Sequence, residues 1–381
     1  MLSKEVDLIS KLKSIIKIII LPLLFSLFFV GESAFGKNMF NKVGILGILL
    51  CIFPIIYLLK IKKIPFQITL SYFLLIIYTF LITIFGEDYK HWSISILTIS
   101  SIAIFSQVTF KEEELRKSML YTGIMGLIIL IVYNYTDILS GWNPNSIGIF
   151  SLMSILFLLV SIKAGKKSSK KLTIILLLFS IYQIFLLENR NSLMVLIIAI
   201  FALTFINLKK LKKSKIISYA IIGLILPIIF VKGYNLFSQT NLFNEISDTS
   251  MSIFGKETLL SGRDSFWIEC EELVKNNFWF GKGSSMYKFM YSHNMYYSVV
   301  YFFGIIGYIL YSFMILKIVS TILKKKNGII TKSLLLIFIS ILYGQIMENI
   351  LFTSNENLFM PYLFISLAMS NILEENKDEQ E

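Results

Sequence analysis

The chain has 381 residues, of which 56% are hydrophobic and only 16% are charged, and its mean hydropathy is +0.74. Soluble globular domains hold about a quarter charged residues, so this composition excludes an ordinary soluble domain. A net charge of +12 would suggest a nucleic-acid partner in a soluble protein, but here the lysines cluster in short connections between apolar runs. In that position they set membrane topology. We therefore expect an integral membrane protein and no nucleic-acid partner.

Apolar runs long enough to cross a bilayer recur along the whole chain. A membrane helix needs roughly 20 apolar residues, and fewer when flanking side chains reach the interface. The sequence therefore predicts an all-α fold, a polytopic membrane helical bundle with about 12 transmembrane helices in one integral membrane domain, residues 1–381. The predicted spans lie near 15–31, 43–59, 65–85, 93–109, 118–136, 146–162, 172–187, 192–208, 216–232, 295–316, 333–352 and 357–373.

Basic residues alternate between successive connections. They concentrate in every second one, as in KIKK, KAGKKSSKK and KKLKKSK. They are sparse in the connections between, except in one long connection that holds six basic residues from Lys232 to Lys288. The positive-inside rule assigns the basic connections to the cytoplasm, together with the N- and C-termini. The basic start and apolar core of the first segment would also fit a cleaved signal peptide, but a retained helix keeps the alternation consistent.

One connection is much longer than the others. Residues 233–294 separate the ninth and tenth predicted spans and form a predicted extracytoplasmic loop, partly helical. Within it, DSFWIECEELVKN places Phe266, Trp267, Cys270 and Leu273 at helical spacing. This pattern fits a helix lying on the membrane or over a cavity, and it equally fits a surface helix packed on the spans.

Arginine is rare, and its positions are informative. It occurs only at positions 116, 190 and 263, and the last two fall in predicted outer connections, where the positive-inside rule disfavours cations. A guanidinium group presents a flat fork of donors that binds two phosphate or carboxylate oxygens together. Simpler interpretations are a helix-end residue paired with Glu188 for Arg190, and an exposed charge beside Asp264 for Arg263.

A histidine opens the tenth predicted span. His293 is followed by Asn294 and by several tyrosines, including Tyr297. An imidazole titrates near neutral pH and can take a proton from an attacking hydroxyl group, but an interfacial aromatic belt would explain the same residues. Gly304 and Gly307, further along this span, predict close helix packing.

Patterns for other chemistries are missing from the predicted outer segments. They contain no Asp-x-Asp, His-x-x-x-His or paired-cysteine pattern and no Gly-x-Ser-x-Gly elbow. Cys51 lies in an apolar run and Cys270 in a polar connection, so an intrachain disulfide is not expected. We expect no metal and no cofactor.

Five short segments occur in an order that resembles a known family. They cover roughly residues 140–310, share a predicted outer placement, and read NPNSIG (143–148), NRNS (189–192), SGRDSFW (261–267), FWFGKGSS (278–285) and SHNMYYSVVYFFGIIG (292–307). Together they resemble the landmarks of the O-antigen ligase and Wzy-type polysaccharide polymerase superfamily. The long loop between the ninth and tenth spans fits that family as well.

The resemblance implies a metal-independent glycosyltransferase of the membrane-embedded GT-C type in the bacterial cytoplasmic (inner) membrane. The implied donor is a polyprenyl-diphosphate-linked oligosaccharide at the outer face. By the resemblance, Arg190 and Arg263 hold the diphosphate and His293 activates the acceptor hydroxyl group. Neighbouring polar residues of the same motifs are candidates for substrate binding, namely Asn294, Asn145, Asn189, Glu188 and Tyr297.

Two activities within the superfamily remain open. A polymerase transfers the growing chain to a new lipid-linked repeat unit of O-antigen or capsule, whereas a ligase transfers it to lipid A core or another acceptor. Abundant lysine, isoleucine and asparagine suggest an AT-rich genome. Many bacteria with such genomes lack the lipopolysaccharide acceptor that a ligase would use, which favours the polymerase. Implied partners are membrane lipid, a flippase and a chain-length regulator.

A flippase or other transporter for lipid-linked oligosaccharide is the alternative from another class. Transporters place their charged residues near the midplane of the bilayer, whereas the span interiors here contain no arginine and almost no lysine. The polar residues of interest lie at the predicted outer rim. This distribution favours an enzyme.

Overall fold

A computed structural model describes residues 2–32, 66–86, 108–136, 144–165, 167–187, 189–246, 263–283, 293–347 and 359–373. The predicted span at 43–59 lies outside the described residues, as does nearly all of the span at 93–109. The helices are α1 (Leu2–Glu32), α2 (Phe66–Gly86), α3 (Glu112–Tyr135), α4 (Pro144–Ala164), α5 (Lys167–Leu186), α6 (Arg190–Phe205), α7 (Lys213–Phe237), α8 (Arg263–Asn276), α9 (Met295–Lys325), α10 (Ile329–Gly344) and α11 (Phe359–Met369). Two short strands, β1 (Thr109–Lys111) and β2 (Asn371–Leu373), complete the described elements.

The helices follow the predicted spans closely wherever the structure describes them. Four are long and apolar enough to cross a membrane by length and composition, over Glu112–Tyr135, Ile147–Ala164, Lys213–Phe237 and Met295–Lys325. Shorter apolar helices cover Leu70–Gly86, Thr173–Leu186, Arg190–Phe205 and Ile329–Gly344. The largest boundary differences are at α1, which begins at Leu2 rather than near residue 15, at α9, which ends at Lys325 rather than near residue 316, and at α10, which ends at Gly344 rather than near residue 352.

The ends of two predicted spans are strands. β1 pairs in parallel with β2, with Thr109 opposite Asn371 and Lys111 opposite Leu373. The first strand leads directly into α3 and the second follows α11, so the pair joins two helices that are distant along the chain. The all-α prediction is therefore correct for the bulk of the described chain but misses this small parallel pair, whose three-residue strands are too short to show an alternating pattern.

Helices α4 and α10 form the centre of the bundle. Every residue from Ser151 to Ser161 and from Ile330 to Leu342 is buried. α4 packs against α3, α5, α6 and α10, and α10 packs against α6, α7 and α11. These faces contain almost only apolar residues and small hydroxyl-bearing residues, and their hydroxyl groups are commonly bonded within the helix, as Ser340 Oγ is to Leu336 O at 2.9 Å.

Lysines at one end of the bundle bind carbonyl groups at, or shortly after, the carboxyl ends of helices. Lys163 Nζ donates to Leu203 O at 2.5 Å, and the buried Lys332 Nζ donates to Leu208 O at 2.9 Å. Lys326 Nζ donates to Met369 O at 2.5 Å and also to Ser370 O. Helix carboxyl ends carry partial negative charge and carbonyls that lack helical partners, so a lysine stabilises them. The starts of α4, α6 and α9 lie at the opposite end.

Helix α9 is broken at Gly304, where the backbone adopts φ 68° and ψ 178°. The rings of Tyr296 and Tyr308 lie 5.9 Å apart, whereas twelve residues of straight helix extend about 18 Å. α9 therefore consists of a first half-helix, residues 295–303, and a second half-helix, residues 305–325, at a sharp bend.

The segment that follows α8 enters this break and bonds to it. Backbone groups in an apolar environment must be paired, so irregular backbone at membrane depth survives only where other groups bond to it. Residues 278–283 and the Tyr78 hydroxyl provide these bonds, from Lys282 N to Tyr301 O (2.8 Å), Gly283 N to Phe302 O (2.9 Å), Ile305 N to Phe278 O (2.7 Å), Ile306 N to Trp279 O (3.4 Å) and Tyr78 Oη to Phe303 O (2.8 Å).

Glycines make this insertion possible. A Cβ atom on Gly304 would lie 2.1 Å from Trp279 O, and one on Gly281 would lie 2.5 Å from Phe302 O. Both glycines also have positive φ, which L side chains rarely adopt. The expectation of close packing holds for Gly307, where a Cβ would lie 3.3 Å from the Tyr78 ring. Gly304 does more than allow close packing, because it interrupts the helix.

Candidate functional site

Helix α6 begins with the NRNS motif. Asn189 caps this helix, because its Oδ1 accepts a hydrogen bond from Ser192 N at 3.0 Å. Gly148, in the NPNSIG motif of α4, leaves room for this cap, since a Cβ there would lie 2.4 Å from Asn189 Nδ2. Arg190 is the first helical residue, and its side chain is exposed.

Two polar residues that the sequence did not single out follow Arg190 into the core. The amide nitrogen and oxygen of Asn191 and the hydroxyl oxygen of Ser192 are buried and have no hydrogen-bond partner among the described residues. A Cβ on Gly344 would lie 3.9 Å from Asn191 Oδ1, so this amide faces the end of α10. A signal was present in the sequence, because Asn191, Ser192 and the buried Val195 share the inward side of α6.

Helix α9 begins directly after the SHN motif. Asn294 is fully buried and caps the helix, because its Oδ1 accepts from Tyr296 N at 2.9 Å and from Tyr297 N at 3.4 Å. Its Nδ2 donates to Ile346 O at 3.0 Å and lies 3.5 Å from Pro227 O. The side chain of Asn294 therefore fixes the start of α9 to α7 and to the end of α10.

His293 has a left-handed backbone. Its φ is 48°, and among the described residues it is the one non-glycine residue with positive φ. This conformation costs about 1–3 kcal/mol and survives only where the surroundings enforce it. The cap at Asn294 and the hydrogen bond from Met295 N to Gln345 O, at 3.2 Å, provide that enforcement. Strained residues of this kind are concentrated at active sites.

The turn at residues 344–346 joins the starts of α6 and α9. Gly344 faces Asn191 on one side, and the carbonyls of Gln345 and Ile346 bond to the start of α9 on the other. The structure thus brings the helix that Arg190 begins and the helix that follows His293 to the same turn.

Helix α8 begins at Arg263 and packs against α7 and α9. Trp267 is fully buried, with its ring 5.8 Å from the Phe230 ring and 5.4 Å from the Tyr234 ring of α7. Cys270 and Val274 complete the buried face. The amphipathic pattern is therefore that of a helix packed on the spans. Arg263 precedes Trp267 by about one turn, and the described side chains begin after it.

A charged cluster lies between α7, α8 and α9. Glu271 of α8 pairs with Lys232 of α7, and its Oε2 accepts from the Tyr297 hydroxyl of α9 at 3.0 Å. Asn235 Nδ2 donates to the same hydroxyl at 3.1 Å. Lys232 also lies over the Tyr296 ring, 5.8 Å from its centroid.

The remaining predicted residues are placed as follows. Tyr297 is fully buried and its hydroxyl is bonded within the protein, as is the side chain of Asn294, so substrate binding by either residue stays a prediction. Asn145 lies in the first turn of α4, and Glu188 lies outside the described residues.

No group of three histidine, cysteine or acidic side chains within the described ranges could hold a metal ion. Metal independence nevertheless stays a prediction.

Comparison with protein families supports the resemblance found in the sequence. Residues 175–312 match the family model described as O-antigen ligase, and this segment includes Arg190, Arg263 and His293. Comparisons with curated proteins and with solved structures find no match. The chain, with its several apolar helices, is a membrane protein, and its segment 175–312 supports membership of the O-antigen ligase and Wzy superfamily, whose members are glycosyltransferase-like enzymes.

Proposed function

We propose that this protein transfers a glycan from polyprenyl diphosphate to the sugar of a lipid-linked acceptor, at the outer face of the bacterial cytoplasmic membrane. The observation that carries the proposal is the shared turn at 344–346, which contacts both the helix that Arg190 begins and the two residues that follow the strained His293. Both of these helix starts lie inside the family segment.

The charge at this end of the bundle suits an anionic donor. Arg190 and Arg263 are each the first residue of a helix, and His293 lies two residues before α9. A helix amino terminus presents unpaired N–H groups and partial positive charge, and both favour a bound phosphate. Two guanidinium groups would add paired donors to diphosphate oxygens.

The proposed reaction needs a leaving group and a base. A hydroxyl group of the acceptor sugar attacks the anomeric carbon of the donor, the bond between that carbon and the diphosphate oxygen breaks, and polyprenyl diphosphate leaves with the bonding electrons. The acceptor proton passes to the His293 imidazole. Arginines placed where negative charge develops each lower the barrier by about 3 kcal/mol, and a positioned base contributes about 10²- to 10⁴-fold in rate.

Donor chemistry follows from the location. The outer face of the membrane has no supply of nucleotide sugars, so the donor must bring its own leaving group, and a lipid diphosphate does so. We propose that side-chain cations, rather than a metal ion, neutralise that group. Addition of a chelator should then leave the rate unchanged.

We propose polymerase activity as the first candidate. Ligase activity is the second candidate, because the matched family model is described as O-antigen ligase. The decisive experiment gives purified protein lipid-diphosphate repeat units, with and without an added second acceptor, and separates the products by size. A ladder from repeat units alone indicates a polymerase, whereas a product that requires the second acceptor indicates a ligase.

His293→Ala is the matched variant for this experiment, and it should lower the rate at least about 100-fold. If the native protein leaves the lipid-diphosphate units unchanged under both conditions, the proposed function is wrong. A deletion strain separates the flippase alternative, because loss of a polymerase leaves single repeat units on the cell surface and loss of a flippase leaves none.

A further inference from the structure

Glu271 is a partly buried charge that the proposed chemistry does not use. Its side chain is 17% exposed, and it lies on α8 between the donor-side Arg263 and the segment that enters the break in α9. An acidic group close to a diphosphate site would repel the substrate, so a direct role in donor binding is unfavourable. The residue needs another explanation.

The contacts of Glu271 join three helices. Its two carboxylate oxygens bond to Lys232 of α7 and to the Tyr297 hydroxyl of α9, and Asn235 of α7 bonds to the same hydroxyl. On the buried face of the same helix, Trp267 makes ring contacts with Phe230 and Tyr234 of α7. Apolar contacts hold a helix against its neighbours without fixing its rotation and sliding, whereas a hydrogen-bonded ion pair has a defined geometry.

Tyr297 belongs to the first turn of the half-helix that follows His293. The backbone bonds from residues 278–283 hold the other end of the same half-helix, at Tyr301 and Phe302. The connection from Arg263 through Glu271 to the break therefore contacts this half-helix at both ends. A shift of α8 would move Arg263 and His293 relative to each other.

We propose that Glu271 is a positioning residue. Its bridge between Lys232 and Tyr297 fixes the position of α8, and therefore of Arg263, relative to the half-helix that follows His293. This role rests on the proposed function, in which Arg263 holds the donor and His293 activates the acceptor. The bridge itself is a structural property that can be measured without activity.

Cys270 provides that measurement. It is the neighbour of Glu271 on α8 and is 1% exposed, so a maleimide can label it only when α8 moves away. In a chain with Cys51 replaced by serine, Glu271→Ala or Lys232→Met should raise the labelling rate of Cys270 about tenfold or more, because removal of one partner leaves an uncompensated charge. Glu272→Ala is the matched control, since Glu272 is exposed on the same helix and should leave the rate unchanged.

Activity is then measured with a charge exchange. Glu271→Lys and Lys232→Glu each place like charges together and should lower the turnover number at saturating donor about tenfold or more. The double variant restores an ion pair between the same positions and should recover most of the turnover and the slow labelling of Cys270. A residue that touched substrate would not be rescued in this way.

The outcomes separate the two proposals. Unchanged Cys270 labelling in Glu271→Ala overturns the bridge, whatever the activity. Faster labelling with undiminished turnover overturns the positioning role and leaves the proposed function standing. If the native protein transfers no glycan while labelling responds as expected, the proposed function fails, and the catalytic part of this inference fails with it.

Discussion

Arg190 stands where a helix disfavours it. A cation at the first residue of a helix opposes the partial positive charge of that terminus, at a cost of about 0.3–1 kcal/mol. The side chain is exposed and gains nothing from burial, and lysine is the usual cation of this chain. Neither the charge of the helix terminus nor residue usage accounts for an arginine here, whereas binding of a diphosphate would turn the unfavourable local charge into an attraction.

This argument predicts that lysine cannot replace arginine here. Arg190→Lys and Arg263→Lys keep the charge but lose the planar pair of donors, so each should reduce glycan transfer about 100-fold, measured on purified protein with lipid-diphosphate donor. Arg116→Lys is the control, because Arg116 lies at the lysine-rich end of α3 and should tolerate the change. Near-normal transfer by both outer variants would contradict diphosphate binding through paired guanidinium donors.

Two asparagines of one motif should respond to leucine in opposite ways. Asn189 caps α6, so Asn189→Leu should lower the free energy of unfolding by about 1 kcal/mol. The Asn191 amide is buried and has no partner in the described part of the chain, so Asn191→Leu should raise the free energy of unfolding by about 1 kcal/mol, because an apolar group of similar size removes the desolvation cost. Thermal melting in detergent measures both. A drop in melting temperature for Asn191→Leu would show that this amide is hydrogen-bonded in the native protein.

At the scale of elements, the broken helix α9 depends on glycine. The break exchanges helical bonds for bonds to residues 278–283 and Tyr78, and it places two backbones too close for a Cβ atom. Because residues 278–283 follow α8 along the chain, their bonds at the break connect the long loop to the half-helix beside His293. The element that positions the site is therefore an interrupted span with an inserted segment, rather than a continuous helix.

Alanine at position 304 should disrupt this arrangement. The positive φ and a Cβ atom 2.1 Å from Trp279 O predict that Gly304→Ala destabilises the protein by about 3 kcal/mol or more. Gly233 is the matched control, since it lies exposed within α7 with open space around it, and Gly233→Ala should be neutral or stabilising by up to about 1 kcal/mol. Equal melting temperatures for the two variants would refute the break.

The sequence predicted the membrane spans well, but it did not predict the break in α9. Spans such as 65–85 and 146–162 are uniform apolar runs, and their lengths alone nearly define α2 and α4. At Gly304 the local sequence YFFGIIG is equally compatible with a continuous helix, because glycine is tolerated in one. What breaks the helix is a tertiary contact with residues 278–283, which local patterns cannot show. The same holds for Glu271, whose partners lie 39 and 26 residues away.

At the scale of the whole molecule, the two ends of the bundle differ in chemistry. At one end Lys163 and Lys326 bind the carboxyl ends of helices, and Lys332 binds the turn that follows α6. At the other end lie Arg190 and His293, at the starts of helices. The alternation of basic connections in the sequence predicted such a separation, and contacts such as Lys163 with Leu203 and Lys332 with Leu208 join basic connections that the structure describes. Which end faces the cytoplasm follows from the positive-inside rule and stays a prediction.

Labelling of introduced cysteines tests that orientation. Lys210 is exposed in the basic connection between α6 and α7, and Asn244 is exposed in the long connection beyond α7. With both native cysteines replaced by alanine, a membrane-impermeant maleimide should label Asn244→Cys in intact cells and label Lys210→Cys only after lysis, because the positive-inside rule assigns Lys210 to the cytoplasm. The cysteine-free parent controls for background labelling. The opposite result would place Arg190 and His293 on the cytoplasmic side, where nucleotide sugars are available, and would remove the reason for a lipid-diphosphate donor.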